Sequence, residues 1–208
     1  LERYRKEFVG NVSHELKTPI FNIQGYILTL LEGGIDDPKI NKLYLQRTEK
    51  SIDRMISIVE DLESITKLES GELKLKMEKI DIVRMVEEVF EMEQMIASER
   101  KIVLEFTHKP DKPVYVLADK KRILEVISNL VNNGVKYGRK KGYVKVGFYD
   151  MEDHIMVEVS DNGIGIDKKE LSRVFERFFR VDKSRSREQG GTGLGLSIVK
   201  HIIEAHDQ

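Results

Sequence analysis

The chain has no cysteine and no tryptophan among its 208 residues. The absence of cysteine excludes a disulfide framework and a cysteine-based zinc site, and it is compatible with a reducing compartment. Lysine and arginine number 35 and aspartate and glutamate 36, which gives a net charge of -1. No global field therefore indicates nucleic acid or an acidic substrate, and we expect no nucleic-acid partner.

Long apolar runs are also missing. No uninterrupted stretch approaches the ~18 apolar residues of a membrane span, and the first residues, LERYRKEF, lack the apolar core of a signal peptide. The chain begins with Leu1 rather than methionine. We expect a soluble piece of something longer, with membrane contact only through segments that this chain lacks.

Helical periodicity dominates the first third of the sequence. A helix is predicted over residues 1–31, broken at Pro19, with an apolar stripe at steps of four: Phe8, Val12, Leu16 and Ile20. A second helix is predicted after a cap at Asp36 or Asp37, with Pro38 in its first turn. Its apolar stripe consists of Ile52, Met55, Val59, Leu62 and Ile65. Because two such helices cannot enclose a core alone, we expect a homodimer that forms a four-helix bundle.

From about Gly71 the sequence alternates between strand-like and helix-like stretches. Helices are predicted over 82–97, with Met95 facing inward, and over 119–137. Strands are predicted at Leu73, Leu75 and Met77 and over 101–107, 113–118, 143–149 and 154–161. The pattern predicts an α+β layer sandwich, and we place one domain at 1–70 and a second at 71–208.

His14 faces away from the apolar stripe of its own helix. At ~100° per residue it lies ~200° from Val12 and from Leu16, so it is predicted to face water. A solvated surface histidine explains this placement. A functional histidine requires a partner site elsewhere in the chain.

Polar residues share one face of the predicted helix over 119–137. They are Asn129, Asn133, Lys136 and Tyr137. Asparagine is a poor helix former, and an unpaired buried amide costs ~1–3 kcal/mol, so this face suggests a bound polar ligand. Amide oxygens suit Mg²⁺ and lysine suits phosphate, although a solvated face explains the same residues.

Glycine-rich stretches follow. SDNGIGID places Gly163 and Gly165 after Asp161, either for close backbone approach or for a plain turn. GGTGLGL leads into a predicted helix whose free N–H groups form an anion site. Neither stretch matches a Walker A loop or a Rossmann fingerprint, so a different nucleotide-binding fold is required.

Five motifs in order, SHELKTP, NLVNNGVKY, DNGIGI, FERFFRVD and GGTGLGL, resemble the H, N, G1, F and G2 boxes of sensor histidine kinases. The resemblance covers essentially the whole chain. It implies a dimerisation and phosphoacceptor domain followed by an ATP-binding α/β sandwich of the Bergerat (GHKL) type. That domain normally ends in a β-hairpin, which we expect to be missing because the chain stops at Gln208.

The resemblance assigns the chemistry of the first domain to three residues. It makes His14 the phosphoacceptor for the γ-phosphate of ATP, Glu15 the acidic neighbour that orients or deprotonates the ring, and Thr18 the residue that positions water for dephosphorylation. It implies transfer of the phosphoryl group to an aspartate in the receiver domain of a response regulator. It also implies that the chain is the cytoplasmic part of a bacterial membrane protein.

The resemblance also assigns the nucleotide site. Asp161 would bind the adenine amino group, Asn133 would ligate Mg²⁺ with support from Asn129, and Arg180 would compensate γ-phosphate charge. The remaining predicted ATP-binding residues are Lys136, Tyr137, Gly163, Gly165, Gly191, Thr192, Gly193, Leu194 and Gly195. The mobile ATP lid is expected over 166–189.

Two departures and two alternatives accompany this interpretation. Gly134 and Gly138 stand where alanine and a small hydroxyl residue are commoner, and we expect binding to survive them. A gyrase- or chaperone-type ATPase would need a glutamate at the position of Asn129 to activate water. A non-catalytic dimeric scaffold with a dead nucleotide site is the other alternative, and Asn133, Asp161 and the G2 glycines argue against it.

Overall fold

The computed structural model describes residues 2–69, 74–181 and 191–207. The chain divides into two compact units, each described here by itself. The helical unit comprises Leu1–Lys67 and Arg177–Leu194, and the α/β unit comprises Leu68–Glu176 and Gly195–Gln208. The proposed boundary near Gly71 falls outside the described residues and stays a prediction.

The helical unit contains two long helices. Helix α1 spans Glu2–Leu31, a short 3₁₀ helix spans Gly34–Asp36, and α2 spans Asn41–Glu69. Pro19 lies inside α1, and the helix continues through it, so the predicted break is wrong. Proline removes one backbone donor there, and the helical turns on either side maintain the geometry. Within the described residues, no helix is both long and apolar enough to cross a membrane.

The turn before α2 is built by Asp37. Its carboxylate accepts a hydrogen bond from the Lys39 N–H at 2.8 Å, and its backbone oxygen accepts one from the Asn41 N–H at 2.9 Å. Helix α2 begins at Asn41, so Pro38 precedes it rather than lying in its first turn. The predicted aspartate cap is therefore found on the turn that leads into the helix.

The apolar faces of α1 and α2 are only partly covered. Leu30, Ile58 and Ile65 are buried. Many other large apolar side chains of these helices are exposed: Ile20, Phe21, Ile27, Leu28, Leu43, Leu45, Ile52, Ile56 and Val59. The single chain thus presents an apolar surface of the kind that indicates a protein contact.

The α/β unit contains five strands and three α-helices within the described residues. In chain order they are β1 Met77–Asp81, α3 Ile82–Arg100, β2 Val103–Phe106, β3 Tyr115–Asp119, α4 Lys120–Tyr137, β4 Tyr143–Asp150, β5 Ile155–Asp161 and α5 Gly195–Ala205. Strand β4 pairs parallel with β2 and antiparallel with β5, and β1 pairs antiparallel with β3. The predicted α+β class is confirmed, although β1 begins at Met77 and leaves Leu75 outside; Leu73 is not among the described residues.

The core of the α/β unit lies between the helices and the three-stranded sheet. Val86 and Val89 of α3 are fully buried, as are Val144 and Val146 of β4. Met95 is 72% exposed, so its predicted inward position is wrong. Nine residues after Val86 correspond to two and a half helical turns, at ~100° per residue, which places Met95 on the opposite face of α3.

Aspartates cap both long helices of this unit. The Asp81 carboxylate accepts from the N–H groups of Val83 and Arg84, and the Asp119 carboxylate accepts from the Arg122 N–H at 3.1 Å. These caps satisfy backbone donors that a helix start leaves free. The Asp119 cap fixes the start of α4, the helix that carries the predicted asparagine face.

Candidate functional site

His14 is exposed on α1, as the periodicity predicts. Its backbone oxygen accepts a hydrogen bond from the Thr18 hydroxyl at 3.3 Å, which is a common arrangement for threonine inside a helix. The Thr18 side chain is half-buried, and Pro19, the next residue, is fully buried. The imidazole is therefore accessible, whereas Thr18 and Pro19, one turn later, lie against the interior of the helical unit.

Glu15 is held by two arginines of the helical unit. Its Oε2 atom accepts from Nη2 of Arg54 at 2.9 Å and from Nη2 of Arg180 at 3.0 Å. The Arg180 side chain is only 5% exposed and that of Glu15 14%. Charge-assisted hydrogen bonds at such burial are strong. The structure thus brings two predicted site residues together, the acid of the H box and the arginine of the F box.

The glycine-rich G2 segment, residues 191–195, contacts α2. The Thr192 hydroxyl donates to the Asp61 carboxylate at 2.8 Å and accepts from the Leu194 N–H at 3.2 Å. Leu194 is fully buried, and Arg180 also donates to the backbone oxygen of Gly191. These contacts explain why Arg177–Leu194 groups with the helical unit.

Gly193 permits a close backbone contact in the same segment. Its φ is +77°, and a Cβ atom would lie 2.9 Å from backbone atoms of Phe178. The Phe178 N–H donates to the Gly193 oxygen at 2.9 Å. A side chain at Gly193 would therefore be strained by its own dihedral angle and by the neighbouring backbone.

The asparagine face of α4 lies in the α/β unit. Asn129 donates from Nδ2 to the Glu125 oxygen at 3.0 Å, and its Oδ1 lies where a Cβ on Gly195 would approach to 2.6 Å. Asn133 is half-buried, and its side chain makes no hydrogen bond within the described residues. The Asn133 amide is thus open to an external partner through both its nitrogen and its oxygen, whereas the Asn129 nitrogen is already engaged.

The G1 turn, residues 161–165, closes against the end of α4. The Asp161 carboxylate accepts from the Gly163 N–H at 2.7 Å, and the Tyr137 backbone oxygen accepts from the Ile164 N–H at 3.2 Å. A Cβ on Gly163 would lie 2.5 Å from the Tyr137 oxygen. Close approach, rather than a plain turn, is therefore the reason for glycine at 163.

Val144 connects the asparagine helix with Asp161. It is paired in register with Asp161 across β4 and β5, and a Cβ on Gly134 would approach its side chain to 2.8 Å. Gly138 is equally enclosed, because a Cβ there would meet the Gly134 oxygen at 2.6 Å and the Ile102 side chain at 2.8 Å. Both glycines that depart from the resemblance therefore have a packing reason.

Other predicted site residues are placed as follows. Lys136 and Tyr137 are half-buried in the last turn of α4, with the lysine ammonium 5.8 Å from the tyrosine ring centroid. Gly165 has a φ of +71° and open space around it. Of the predicted lid, residues 182–189 lie outside the described residues. Its described part contains a 3₁₀ helix at Lys168–Arg173.

Sequence reasoning missed several residues that hold these segments. Arg54 and Asp61 contact Glu15 and Thr192, yet on the sequence they look like ordinary charged positions of a solvated helix face. Asn162 accepts from the Tyr143 N–H at 2.8 Å and so ties the G1 turn to β4. Its place inside DNGIGI is the one signal that could have indicated it.

Comparison with known proteins identifies both parts of the chain. Residues 4–71 match the His Kinase A (phospho-acceptor) domain, and residues 118–208 match the histidine kinase-, DNA gyrase B-, and HSP90-like ATPase family. The chain belongs to the histidine kinases. Within this family it is a sensor histidine kinase catalytic core of the two-component type.

Individual histidine kinases resemble the chain over most of its length. The sensor histidine kinase WalK of Bacillus subtilis is 37% identical over 99% of this chain and 34% of its own. The histidine kinase AdeS of Acinetobacter baumannii superposes with a TM-score of 0.72 at 28% identity, over 92% of this chain and 86% of its own. The histidine kinase ThkA, solved in complex with the response regulator TrrA, gives 0.71 at 25% identity, over 84% and 50%. The chain therefore spans about one third of the WalK relative.

Proposed function

We propose that this chain is the catalytic core of a protein histidine kinase that uses ATP to phosphorylate His14. The observation that carries the proposal is the exposed imidazole on α1, inside the residues that match the phosphoacceptor domain. A neutral imidazole has a lone pair on one ring nitrogen, and exposure makes that atom accessible to a phosphate. The ATPase-family match of residues 118–208 supports ATP as the donor.

The reaction transfers the γ-phosphoryl group from the bridging oxygen of ATP to a ring nitrogen of His14. The His14 ring nitrogen attacks the γ-phosphorus, a P–N bond forms, and the bond to the bridging oxygen breaks, so that ADP leaves with the electron pair. The proton on the other ring nitrogen passes to water or to Glu15. Catalysis of such transfers depends mainly on positioning and charge neutralisation, which amides, cations and backbone N–H groups supply.

The nucleotide is assigned to residues of the N, G1 and G2 motifs. Asp161 would accept from the adenine amino group, with Gly163 and Gly165 allowing close approach. Lys136 and Tyr137 would reach the phosphates and the ribose side. The N-terminus of α5, preceded by the G2 segment, supplies free N–H groups to phosphate.

Mg²⁺ fits this site through Asn133. Its half-buried amide makes no hydrogen bond within the described residues, which leaves the oxygen available, and Asn129 would support it. Among the described residues no cluster of three or more His, Asp or Glu could hold the ion alone. Mg²⁺ usually takes few protein ligands and completes its shell with phosphate oxygens and water. When bound it would neutralise charge on the phosphates.

We further propose two partners for the whole protein, a second copy of the chain and a response regulator, and a phosphatase activity toward that regulator. The exposed apolar faces of α1 and α2 would pair in a homodimer as a four-helix bundle. A response regulator would receive the phosphoryl group on an aspartate of its receiver domain, an assignment supported by the solved complex of the related ThkA. Thr18 would position water for the reverse, phosphatase, reaction. The remaining two thirds of a protein of WalK size would carry the sensor and the membrane anchor.

Labelling with ATP that carries a radioactive γ-phosphate tests the proposal. We expect an acid-labile, base-stable label on the wild-type protein and none on His14→Gln, while ADP affinity stays nearly unchanged in that variant. Phosphate release without a label on the protein would instead support the ATPase alternative. If the protein neither binds nucleotide nor acquires a label, that result would support the scaffold alternative.

Thr18→Ala separates the two activities of the helix. The variant should keep the label on His14 but remove phosphate from the cognate regulator more slowly, because only hydrolysis needs a positioned water. Thr18→Ser retains a hydroxyl and is the matched control. Equal loss of both activities in Thr18→Ala would mean that Thr18 only supports the helix.

A further inference from the structure

Arg100 contacts the end of the helix that carries the nucleotide motif, although it belongs to none of the five motifs. It is the last residue of α3. Its Nη1 atom donates to the backbone oxygen of Val135 at 2.7 Å and also to that of Lys136. Its Nη2 atom donates to the Gly138 oxygen at 3.2 Å. One half-buried guanidinium therefore binds three carbonyl groups around the C-terminus of α4.

The carbonyl groups at a helix C-terminus have no partners within the helix and carry partial negative charge. A guanidinium satisfies several of them at once because its donors form a planar, rigid fork. Gly138, which follows α4, has an extended conformation and provides no side-chain cap. Arg100 thus acts as the C-terminal cap of α4.

The same helix end holds the G1 turn. The Tyr137 oxygen, between the carbonyl groups that Arg100 binds, accepts from the Ile164 N–H at 3.2 Å. Gly163 packs directly against that oxygen, and its own N–H binds the Asp161 carboxylate at 2.7 Å. A continuous series of contacts therefore runs from Arg100 through the last turn of α4 to Asp161.

We infer that Arg100 is a positioning residue for purine-nucleotide binding, which fixes the last turn of α4 and, through the Tyr137 oxygen, the G1 turn with Asp161. The inference rests on the proposed nucleotide site. Arg100 touches no nucleotide itself and acts through the backbone that presents Lys136, Tyr137 and Asp161. Without it, the helix end would unwind locally and the Tyr137 oxygen would lose its fixed place.

The test compares Arg100→Ala and Arg100→Lys with Arg122→Ala in the full chain. Arg122 is the matched control, because it is a half-buried arginine of the same unit with an ion pair to Glu125, at the other end of α4. Amide hydrogen exchange of Ile164, followed by NMR without nucleotide, reports directly on the bond to Tyr137. Titration calorimetry with ADP and with adenosine reports on the nucleotide site.

We expect Arg100→Ala to accelerate exchange of the Ile164 amide and to weaken ADP and adenosine binding about tenfold, within the range typical of coupled sites. Exchange of the Val146 and Val159 amides, in the paired strands β4 and β5, should change little. Arg100→Lys keeps the charge but not the fork, so it should fall between wild type and alanine. Should the alanine variant not fold, the lysine variant still reports both quantities.

Two results would overturn the inference. One is unchanged Ile164 exchange in Arg100→Ala and Arg100→Lys. The other is that Arg122→Ala raises exchange and weakens binding to the same extent, which would reduce the effect to general stability. Failure of the proposed function looks different, because the wild-type protein would then bind neither ADP nor adenosine while the effect on Ile164 exchange persisted.

Discussion

The Glu15 carboxylate and the Arg180 guanidinium form an ion pair with an N–O distance of 3.0 Å within the helical unit. The residue next to the proposed phosphoacceptor thus binds the arginine assigned to the γ-phosphate. The pair has low exposure on both sides, so solvent screens it less than a surface pair. Because Nη2 of Arg180 is engaged by Glu15 and by the Gly191 oxygen, we expect charge compensation on a nucleotide to compete with this ion pair.

Glu15→Gln should therefore increase the affinity for ATP relative to ADP. The neutral amide binds Arg180 more weakly, which lowers the free energy needed to release the arginine by roughly 1 kcal/mol, or about fivefold in affinity. Calorimetric titration with both nucleotides measures the ratio. Arg180→Ala is the control, since without the arginine the ratio should no longer respond to Glu15→Gln. An unchanged ATP to ADP ratio in Glu15→Gln alone would contradict the prediction.

Substitutions can separate the observed contact of Asp161 with the Gly163 N–H from its proposed role in adenine binding. Asp161→Ala removes both the acceptor for the Gly163 N–H and the proposed acceptor for adenine, so binding of ADP and adenosine should fall alike. Asp161→Asn retains an oxygen that can accept from Gly163, and Ile164 amide exchange should then stay near that of wild type while adenosine binding is weaker. If asparagine restores full adenosine affinity, the charge of Asp161 has no role in base recognition.

Asn133→Ala should fail differently from the Asp161 variants. Loss of the proposed Mg²⁺ ligand should abolish phosphoryl transfer and the Mg²⁺ dependence of ATP binding, while adenosine still binds. The fold should tolerate the change, because the Asn133 side chain makes no hydrogen bond within the described residues. Calorimetry with ATP and adenosine, with and without Mg²⁺, checks each part. Proportional loss of adenosine and ATP binding would show that Asn133 supports the domain rather than the ion.

Gly195→Ala should displace the Asn129 side chain on the asparagine face of α4. A Cβ at this position lies 2.6 Å from the Asn129 oxygen, so the amide must rotate away and its bond to the Glu125 oxygen is strained. We expect a lower free energy of unfolding and weaker ADP binding. Gly25→Ala is the control, because Gly25 lies inside α1 with open space around it and alanine there should stabilise by about 0.5–1 kcal/mol. Adding Asn129→Ala to Gly195→Ala should recover part of the lost stability if the clash is its cause.

Stability at acidic pH should depend on Asp119. Burial raises the pKa of its carboxyl, but hydrogen bonds from the N–H groups of Lys76 and Arg122, with the charges of Arg122 and His206, outweigh burial and lower the pKa below its ordinary value of 3.8. A lowered pKa means that the carboxylate stabilises the fold above its unfolded-state pKa and that this contribution is lost as the pH falls through the folded-state value.

Asp119→Asn should accordingly melt at a lower temperature than wild type near neutral pH. The difference should shrink as the pH falls below about 3.8. The pKa of Asp153 is also lowered, by its hydrogen bond to His154, but Asp153 is exposed and caps no helix. Asp153→Asn is therefore the control and should change the melting temperature little. A constant difference between Asp119→Asn and wild type at all pH values would assign the effect to shape rather than charge.

The alternation and helical periodicity of apolar residues predicted much of the fold, because these patterns reflect burial directly. Alternation correctly predicted strands β4 and β5, and the helix predicted over 119–137 is found at Lys120–Tyr137 with Asp119 as its cap. The inward prediction for Met95 was wrong because Met95 lies two and a half helical turns from the buried Val86 and so on the opposite face of α3. The predicted aspartate cap of α2 was wrong because Asp37 caps the preceding turn rather than the helix itself.

Contacts between distant parts of the chain could not be predicted in the same way. The motifs indicated Glu15 and Arg180 separately, but their pairing depends on how residues 177–181 fold back, which no local period encodes. Arg100 stands at the end of a helix, where arginine is ordinary, and its three carbonyl partners lie 35 to 38 residues away. Sequence reasoning therefore indicated candidate site residues such as Glu15 and Arg180, but not the residues that hold them in place.

The tight packing of Gly134 against Val144 links two positions that are distant in the sequence. A methyl group on residue 134 would come within 2.8 Å of a Val144 methyl, in a part of the sheet that is fully buried. Alanine at 134 therefore requires the Val144 side chain to shift or to be replaced by a smaller one. We expect the two positions to be epistatic, so that a descendant of this chain should accept a side chain at 134 more readily once residue 144 is smaller.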